Sequence, residues 1–596
     1  MIVDISGNSY SEIWQQLKSS GIAWLIFLLT GVSFYYPSFT VAFVDSKEAF
    51  LSLAALLLLI KLLFCEKIYI NLDYIYPIIV VLLFSFVHFI YQRVTGIFFS
   101  YNFHYALLLL AMIIMLNNFI KLQPESIVRV AVMYLLLLIV MGLFEYAGYS
   151  IFPEKRFPGC TFFGNTEFFS AIFSPLTVLI LTNFLISKLA GRTFSILLLL
   201  SAFLFYFFLG SRIGFISMCC GCFIFCLTGM VFLNKTNAAI LKKLLVAILL
   251  IAGIVYFLVP VNGVAGRTSI IDKFVSAGQN VSVRLSFWEI AWEMFLTKPL
   301  LGNTSEGFRF YYPLMLKRYF EKKPEKKVLF EVGVAGNAHC EPLQFLTEYG
   351  IAGFLSLLFF LMRLLLKFHK IISQTMNESS DGNNGNISTT INECNLKNNS
   401  EFEKIYAISS LTMICVFLIN SLTSISFHLF PAVLLTLYFS YALYNGKNSE
   451  FLISRVKRLI IFLICSLISL QILSLSLSSH YFFTASYIKD LEIREQFLKK
   501  ALFFASYEPR ANDSIANLYI DTKRSDLASW HLNRGLGVSN NPGLYFTLGR
   551  LEYENGNYKN AARAFMFYAE TQPTSDLADD YLREISRRIS SGEKYY

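Results

Sequence analysis

Long apolar runs separated by short polar connections dominate the chain. Seven runs contain no Asp, Glu, Lys or Arg: residues 19–44, 74–92, 94–120, 168–187, 193–211, 213–234 and 244–266. An eighth charge-free run, 405–446, is too long for one helix and divides at residues 426–431, SFHLFP. Because backbone polar groups in lipid must be paired internally, each run predicts a helix of about 20 residues. Weaker segments near 49–65, 127–149, 349–367 and 459–479 raise the prediction to about thirteen spans. The first span of the series, within 19–44, has no clear signal cleavage site and is therefore interpreted as retained in the protein.

The composition supports the same fold class. The chain has 596 residues, of which 55% are hydrophobic and only 15% charged, with 59 Phe and a mean hydropathy of +0.55. So few charges could not cover a soluble surface, and so many aromatics exclude a disordered chain. Most of the ten Cys lie in apolar runs, which is atypical of a disulfide framework. The predicted fold class is all-α, a polytopic membrane protein of about 12–13 transmembrane helices. In such a protein the net charge of +10 is not a sign of nucleic-acid binding, and no nucleic-acid partner is predicted.

The distribution of Lys and Arg predicts the orientation. With the N-terminus inside, thirteen cations lie in inner loops and five in short outer loops. The inner ones are Lys67, Lys121, Arg129, Lys188, Arg192, Lys235, Lys242, Lys243, Lys370, Lys447, Arg455, Lys457 and Arg458, and the outer ones are Lys47, Arg93, Lys155, Arg156 and Arg212. The long loop 262–348 is then outside, and the Asn- and Ser-rich segment 368–403 is an inner, flexible linker. Thirteen spans also place the tail, 480–596, outside.

The tail has a soluble composition and a repeat pattern. The stretch from Pro542 through a Leu-Gly pair and Gly556 to Ala561, Phe565 and Pro573 resembles a tetratricopeptide repeat. Pro509 lies about one repeat upstream of Pro542. The tail is therefore predicted to be a small helical-repeat domain that binds a peptide or a partner protein, with a generic helical hairpin as the alternative.

Arg212 lies in a very short outer turn, GSRIGF at residues 210–215, between two apolar runs. One interpretation is an Arg whose guanidinium only extends to the membrane interface. The alternative follows from the side of the membrane on which Arg212 is predicted to lie. The orientation rule disfavours cations on the outer side, so a cation retained there is expected to bind an anion. A guanidinium suits phosphate because it keeps its charge and offers a planar fork of donors.

A second cation opens the amphipathic part of the long loop. Residues 283–292, VRLSFWEIAW, have apolar positions at helical spacing and are followed by KPLLGN at 298–303. This pattern predicts an amphipathic helix near the membrane surface that begins at Arg284 and ends at 299–302. Arg284 is a second candidate phosphate ligand. A plain interfacial anchor through its Trp residues is the alternative.

A His closes the loop. Residues 336–354, GNAHCEPLQFLTEYGIAGF, place His339 before a helix that continues into the next span. Only His changes charge near neutral pH, so His339 could accept the proton of an attacking hydroxyl. A structural His at the membrane edge is the alternative, and Glu348 could equally be an exposed acid in the first helical turn.

The order of these features, an Arg turn, a long outer loop with Arg and Trp, then His, Leu, Glu and Gly, resembles the O-antigen ligase family. That family includes O-antigen polymerases and bacterial O-linked oligosaccharyltransferases. The resemblance covers roughly residues 130–440. Residues 159–167, GCTFFGNTE, are similar to the family's Gly…Gly-Asn segment, with Glu167 in place of the usual second Asn. Cys340 follows His339 where the family commonly has His-Asn, and Asn337 lies two residues earlier.

The resemblance implies an activity and roles for residues. It implies a metal-independent, inverting, cofactor-free membrane glycosyltransferase of the bacterial inner membrane, with residues 1–479 as the transferase core and 480–596 as a separate domain. The donor is a glycan on undecaprenyl diphosphate, and the acceptor hydroxyl belongs to lipid A-core, a growing glycan or a protein. His339 is then catalytic, and Arg212 and Arg284 bind the diphosphate. Weaker candidates for substrate contacts are Arg309, Tyr311, Tyr312, Asn337 and Glu348.

Several interpretations remain open. No Asp-x-Asp triplet and no ligand-spaced His/Cys/Asp/Glu cluster occurs in the outer segments of the sequence, which agrees with a metal-free mechanism. A ligase or polymerase is favoured, with a protein O-oligosaccharyltransferase as the alternative in the same family. From other classes, a flippase for lipid-linked oligosaccharides or another transporter would be indicated by inverted repeats and midplane charges, neither of which is evident. A non-catalytic scaffold would need only one or two spans.

Overall fold

The computed structural model describes residues 67–70, 82–91, 123–149, 166–258, 277–304, 307–329, 337–381, 390–422 and 449–590, apart from 210, 453 and 574, together with a few isolated positions. The predicted spans at 19–44 and 94–120, most of 49–65, and the break at 426–431 lie outside the described residues. Within the described part, the protein is an all-α polytopic membrane protein with one short two-stranded ladder.

The apolar runs form the helices of the membrane region. These helices are α1 (Pro124–Tyr146), α2 (Thr166–Ile186), α3 (Leu189–Leu209), α4 (Arg212–Phe232), α5 (Lys235–Leu258), α8 (Glu341–Asp381), α9 (Thr390–Ser421) and α10 (Arg455–Tyr487). A shorter apolar helix covers Leu82–Tyr91. Six of the described helices are long and apolar enough to cross a membrane. Helix α5 begins nine residues before its predicted span, because the charge-free run marks the hydrocarbon segment while Lys242 and Lys243 belong to the same helix.

Helix α2 is the central helix of the membrane region, and almost all of its Phe169–Ile186 stretch is buried. Helices α1, α3, α4 and α9 all pack against it. Two of the contacts are hydrogen bonds between helices: Thr182 Oγ1 and Ser409 Oγ lie 2.6 Å apart, and Asn183 Nδ2 donates to Ser195 Oγ at 2.9 Å. Such bonds hold membrane helices together where no hydrophobic driving force exists between them. They fix the position of α2, whose first residues belong to the candidate site.

The long loop contains two helices of its own, α6 (Ala277–Thr297) and α7 (Gly307–Lys322). Their shared core includes Phe287, Phe308, Tyr312 and Leu316. The predicted start of α6 at Arg284 is wrong, since the helix begins seven residues earlier. Residues 279–283 contain no Pro or Gly that would stop a helix, so the helix extends beyond Arg284 toward the N-terminus. The predicted end is confirmed, because α6 stops just before Lys298 and Pro299.

Segments predicted to lie inside contact one another. Strand β1 (Lys67–Ile70) pairs antiparallel with β2 (Ser449–Leu452), with Lys67 opposite Leu452. Glu401 Oε1 accepts hydrogen bonds from Asn234 N and Asn237 Nδ2, each at 3.0 Å. Much of the predicted flexible linker is helical, since α8 continues to Asp381 and α9 begins at Thr390. Each added residue gains a helical hydrogen bond, and residues 354–381 contain no Pro or Gly that would stop α8.

The tail is a stack of short helices. They are α11 (Leu491–Phe504), α12 (Pro509–Asp521), α13 (Ser525–Leu536), α14 (Pro542–Glu554), α15 (Tyr558–Thr571) and α16 (Asp579–Ser590). Pro509 and Pro542 each occupy the first turn of the first helix of a hairpin, as the repeat spacing predicts. In the second hairpin a Cβ on Gly549 would lie 2.7 Å from the Phe565 ring, so the two helices approach each other closely at the Leu-Gly pair. The assignment to the tetratricopeptide repeats remains a prediction.

The tail contacts the long loop directly. Asn540 Nδ2 donates to the carbonyl of Phe310 at 3.0 Å, and Lys317 Nζ lies 3.0 Å from Glu570 Oε2. Both Phe310 and Lys317 belong to α7, and Glu570 belongs to α15. The tail and the loop therefore lie on the same face of the membrane region, which we call the loop side.

Candidate functional site

Glu167, at the start of α2, joins the two predicted residues of the long loop. Its Oε1 accepts a hydrogen bond from Arg284 Nη2 at 2.8 Å, and its Oε2 lies 3.5 Å from His339 Nδ1. Arg284 lies on α6, and His339 immediately precedes α8. The membrane region thus supplies a carboxylate to which both loop residues are directed. We call Glu167, Arg284 and His339 the site cluster.

The Arg212 turn meets the same end of α2. Ser211 caps α4 by accepting a hydrogen bond from Gly214 N at 3.3 Å, and its Oγ lies 2.7 Å from Ser170 Oγ. Ser170 follows Glu167 by three residues, about one helical turn. A Cβ on Gly214 would lie 2.5 Å from Ser170 Oγ, so Gly is needed for this close approach. The backbone of Arg212 is therefore held next to the site cluster, while its side chain lies outside the described atoms.

His339 occupies an unusual backbone conformation. Its φ is +51°, in the left-handed region that non-Gly residues seldom adopt. The turn is held by Gln344, whose Oε1 accepts from Ala338 N at 2.9 Å while its Nε2 donates to Asn337 Oδ1 at 3.3 Å. The His339 ring stacks on Phe287, one turn after Arg284 on α6, with ring centroids 6.0 Å apart. A residue kept in a strained conformation by its surroundings is a recognised mark of a functional position.

The two halves of the loop are joined at a backbone crossing between Gly302 and Gly350. Asn303 N donates to Thr347 O at 2.8 Å, and Ile351 N donates to Pro299 O at 2.8 Å. Gly302 has a φ of +77° and Gly350 a φ of +66°. The backbone at Gly350 is not helical and kinks α8, so the helix that follows His339 does not continue straight into the next span as predicted. A Cβ on Gly302 would lie 2.2 Å from the carbonyl oxygen of Glu348. The crossing fixes the end of α6 against α8, and so it fixes Arg284 relative to His339.

The electrostatics of the site cluster favour an ionised Glu167. Burial raises the pKa of this carboxyl, but the neighbouring His339 and then Arg284 outweigh the burial and hold the pKa below its usual range. The exposed side-chain fractions are 19% for Glu167, 31% for His339 and 35% for Arg284. The carboxylate is therefore shielded, while both partners remain accessible to a ligand on the loop side.

The weaker candidates separate into accessible and buried residues. Arg309 is exposed and Tyr311 is half-buried on α7, so both are accessible from solvent. Tyr312 is fully buried against Phe287 and Phe308, which gives it a packing role instead of a substrate contact.

Two other candidates belong to the framework of the His339 turn. Asn337 is half-buried and hydrogen-bonded to Gln344. Glu348 is 1% exposed, and its Oε1 accepts from Gln344 Nε2 at 3.1 Å, so the interpretation as an exposed first-turn acid is wrong. The hydrogen bonds through Gln344 connect both residues to the backbone next to His339.

Sequence reasoning identified Arg284 and His339 but missed Glu167 and Gln344 as members of the site. Glu167 was noted only as a departure from a motif. The available signal was an acid at the loop-side end of an otherwise charge-free span. Such an acid is costly unless it is paired, so it predicts a cation partner on the outer side.

The site cluster combines two chemical abilities. A carboxylate facing Nδ1 favours a proton on that nitrogen, which makes Nε2 the basic nitrogen of a neutral imidazole. A guanidinium presents five N–H donors, more than one carboxylate contact can use, and suits phosphate oxygens. The arrangement can therefore accept a proton from a hydroxyl and stabilise an anion nearby.

Comparison with known proteins agrees with this chemistry. No curated protein matches the chain. A family model described as O-antigen ligase matches residues 196–358, a segment that contains the Arg212 turn, α6, α7 and His339. This part of the chain is thus similar to the O-antigen ligase family, which suggests a glycan-transferring membrane enzyme.

Proposed function

We propose that this protein transfers a glycan from an undecaprenyl-diphosphate carrier to an acceptor hydroxyl at the loop-side membrane face, in the manner of an O-antigen ligase or polymerase. The observation that carries the proposal is the site cluster, in which an imidazole and a guanidinium share one shielded carboxylate. The loop side is the periplasmic side in this proposal. The family similarity of residues 196–358 supports the same class of reaction.

The proposed reaction is a single displacement at the anomeric carbon. The acceptor oxygen forms a bond to that carbon as the bond to the diphosphate oxygen breaks, and undecaprenyl diphosphate leaves. The proton of the acceptor hydroxyl passes to Nε2 of His339. Because attack and departure occur on opposite faces of the sugar, the configuration inverts.

The leaving diphosphate gains negative charge, which needs stabilisation in the transition state. Arg284 is the first candidate for this role because its guanidinium lies in the site cluster. Arg212 is the second candidate because its backbone lies beside the same end of α2. Guanidinium groups can take this role without a metal ion, since their charge does not depend on pH in the physiological range.

Glu167 is a positioning residue in this scheme. By facing Nδ1 it orients the imidazole and stabilises the imidazolium that forms, as carboxylates do behind catalytic His residues elsewhere. By accepting from Arg284 it also fixes the guanidinium within the cluster. One carboxylate thereby sets the distance between the base and the diphosphate ligand.

A reconstituted assay tests the proposal. The purified full chain in proteoliposomes, supplied with a carrier-linked glycan and a hydroxyl acceptor, is expected to form product and release undecaprenyl diphosphate. His339→Ala should remove this activity while the protein inserts and purifies normally. Full activity of His339→Ala would exclude His339 as the base, and no transfer by the wild-type chain to any acceptor class would overturn the proposed function.

A protein acceptor is the second candidate within this reaction class. The contact of the tail with α7 favours it, because a protein bound to the tail would lie beside the loop. A deletion strain separates the candidates: loss of the lipopolysaccharide ladder or capsule indicates a glycan acceptor, whereas loss of glycoproteins alone indicates a protein acceptor.

A further inference from the structure

The last membrane helix, α10, sets a depth scale for the tail. It begins with Arg455, Lys457 and Arg458, and no charged residue follows before Lys489. A hydrocarbon core of about 30 Å needs about 20 residues at about 1.5 Å each. Counted from Leu459, the membrane segment therefore ends near Ser478. Tilting the helix would move this boundary further along the chain.

Helix α11 turns back along α10 toward the membrane. Only three residues separate the two helices, and Tyr481 stacks on Phe504 with ring centroids 5.6 Å apart. Further down, Ser474 Oγ donates to the carbonyl of Phe504 at 2.8 Å. Since Ser474 precedes the calculated boundary by four residues, the C-terminal end of α11 lies at or below the level of the membrane interface.

The side chain at this depth is apolar and exposed. Phe503 is 83% exposed, although it is flanked by the half-buried Phe504. Leu467 and Leu470, which precede Ser474 on the same face of α10 by helical spacing, are 67% and 52% exposed. A Phe side chain left in water would be unfavourable, whereas at this depth it meets the acyl chains.

Two cations lie one turn earlier on the same helix. Lys500 Nζ lies 5.2 Å from the Phe497 ring centroid, and Lys499 Nζ is 2.8 Å from Glu495 Oε1. An apolar tip followed by Lys side chains nearer the solvent is typical of a helix end inserted in a membrane interface.

We propose that the C-terminal end of α11 inserts into the loop-side leaflet of the bilayer, with Phe503 among the upper acyl carbons and Lys499 and Lys500 at the phosphate headgroups. The tail would then be held by lipid as well as by α10 and the loop. The occupant of this surface is phospholipid, because Phe503 adjoins Phe504, which contacts Ser474 within the membrane segment of α10, and the exposed Leu467 and Leu470 precede Ser474 on that face. The inference is independent of the transferase proposal.

Fluorescence quenching tests the insertion. The full chain carrying Phe503→Trp, or Leu527→Trp as the matched control, is placed in nanodiscs with or without phospholipid brominated near the headgroup. Leu527 is 44% exposed and lies at the start of α13, next to Arg524, which pairs with Glu495 in the first half of α11, away from the Phe503 end. The emission of the five native Trp residues is subtracted with the wild-type protein.

We expect brominated lipid to remove most of the added emission of Phe503→Trp and little of that of Leu527→Trp. Equal quenching of the two variants, or none of either, would overturn the proposal. If Phe503→Trp does not purify as a single species, the wild-type chain can be crosslinked to a phospholipid with a photoactivatable upper acyl chain. Labelled peptides should then contain Phe503 and not Leu527, and the reverse would refute insertion.

Discussion

The backbones of Gly302 and Gly350 lie so close together that neither residue has room for a side chain. A Cβ on Gly350 would be 2.3 Å from the carbonyl oxygen of Leu300, and both residues have positive φ. This contact fixes the KPLLGN turn against α8. It explains why Gly is needed at two positions that are 48 residues apart in the sequence.

We expect Gly350→Ala to destabilise the protein by more than about 3 kcal/mol, because backbone strain and a steric clash add. Gly556→Ala is the matched control: its φ is +78°, but nothing lies within 4 Å of the added Cβ. The control should lose only about 1 kcal/mol. Thermal unfolding of both variants in the same detergent measures the difference, and equal losses would contradict the steric argument.

Replacing Glu167 should lower the transfer rate more than it lowers donor binding. Glu167→Gln removes the charge that faces His339 and is expected to slow transfer roughly 10²-fold, within the usual contribution of a positioned base. Glu167→Asp keeps the charge on a shorter side chain and should restore part of the rate. A change confined to KM for the donor would instead assign Glu167 to binding alone.

The stability contribution of Glu167 should depend on pH in a defined direction. Its folded-state pKa lies below the ordinary value, so the stabilisation is present above about 4.5 and is lost as pH falls through the lowered value. We expect Glu167→Gln to cost about 1–3 kcal/mol at neutral pH, since Arg284 loses its partner. The cost should not shrink between neutral pH and pH 5, and unfolding curves in which it shrinks would contradict the lowered pKa.

Lysine should not replace the arginines at the candidate diphosphate site. We expect Arg212→Lys and Arg284→Lys each to weaken donor binding by about ten- to hundredfold, because an ammonium keeps the charge but loses the two-point donor geometry. Arg318→Lys on the exposed side of α7 is the control and should bind donor normally. Normal binding by both site variants would leave the arginines as anchors at the interface.

The contact between the tail and the loop should depend on a donor at position 540. Asn540→Asp replaces the amide that donates to Phe310 with an acceptor, so two oxygens would face each other. We expect faster amide exchange in α7 and α14, whereas Asn560→Asp, at an exposed position, should leave both unchanged. Unchanged exchange in Asn540→Asp would indicate that Lys317 and Glu570 hold the contact without it.

A reporter can test which side the tail occupies. With thirteen spans, alkaline phosphatase fused after Tyr596 should be active and green fluorescent protein should be dark, as expected for a periplasmic end. Because the tail contacts α7, a reporter inserted in the loop must give the same result. A cytoplasmic signal from the tail would reverse the assigned orientation of the whole loop side.

The sequence predicted individual residues of the site better than the contacts between them. Arg284 and His339 could be identified because guanidinium and imidazole have distinctive chemistry in an outer loop. Glu167 could not be paired with them, since 117 positions separate it from Arg284 and no local pattern encodes such a contact.

Tyr312 shows how a candidate substrate contact predicted from the sequence can prove to be a buried packing residue. A Tyr on an amphipathic helix could face substrate or core, and the choice depended on the packing of α6 against α7. Among the described helices, span positions followed from the charge-free runs, but the first residues of helices such as α5 and α6 did not. Charge marks the hydrocarbon boundary and does not mark the residue at which a helix begins.

The short connection between α10 and α11 determines how a ligand on the tail would be presented. The connection has only three residues, the last of which, Asp490, caps α11, so the tail has no flexible tether on which to diffuse. A tethered module samples a large volume, and its ligand is correspondingly dilute at any one point. Here the tail can occupy only a small volume beside the loop. An acceptor bound there would meet the site cluster at a high effective concentration, even if its own affinity for that site were weak.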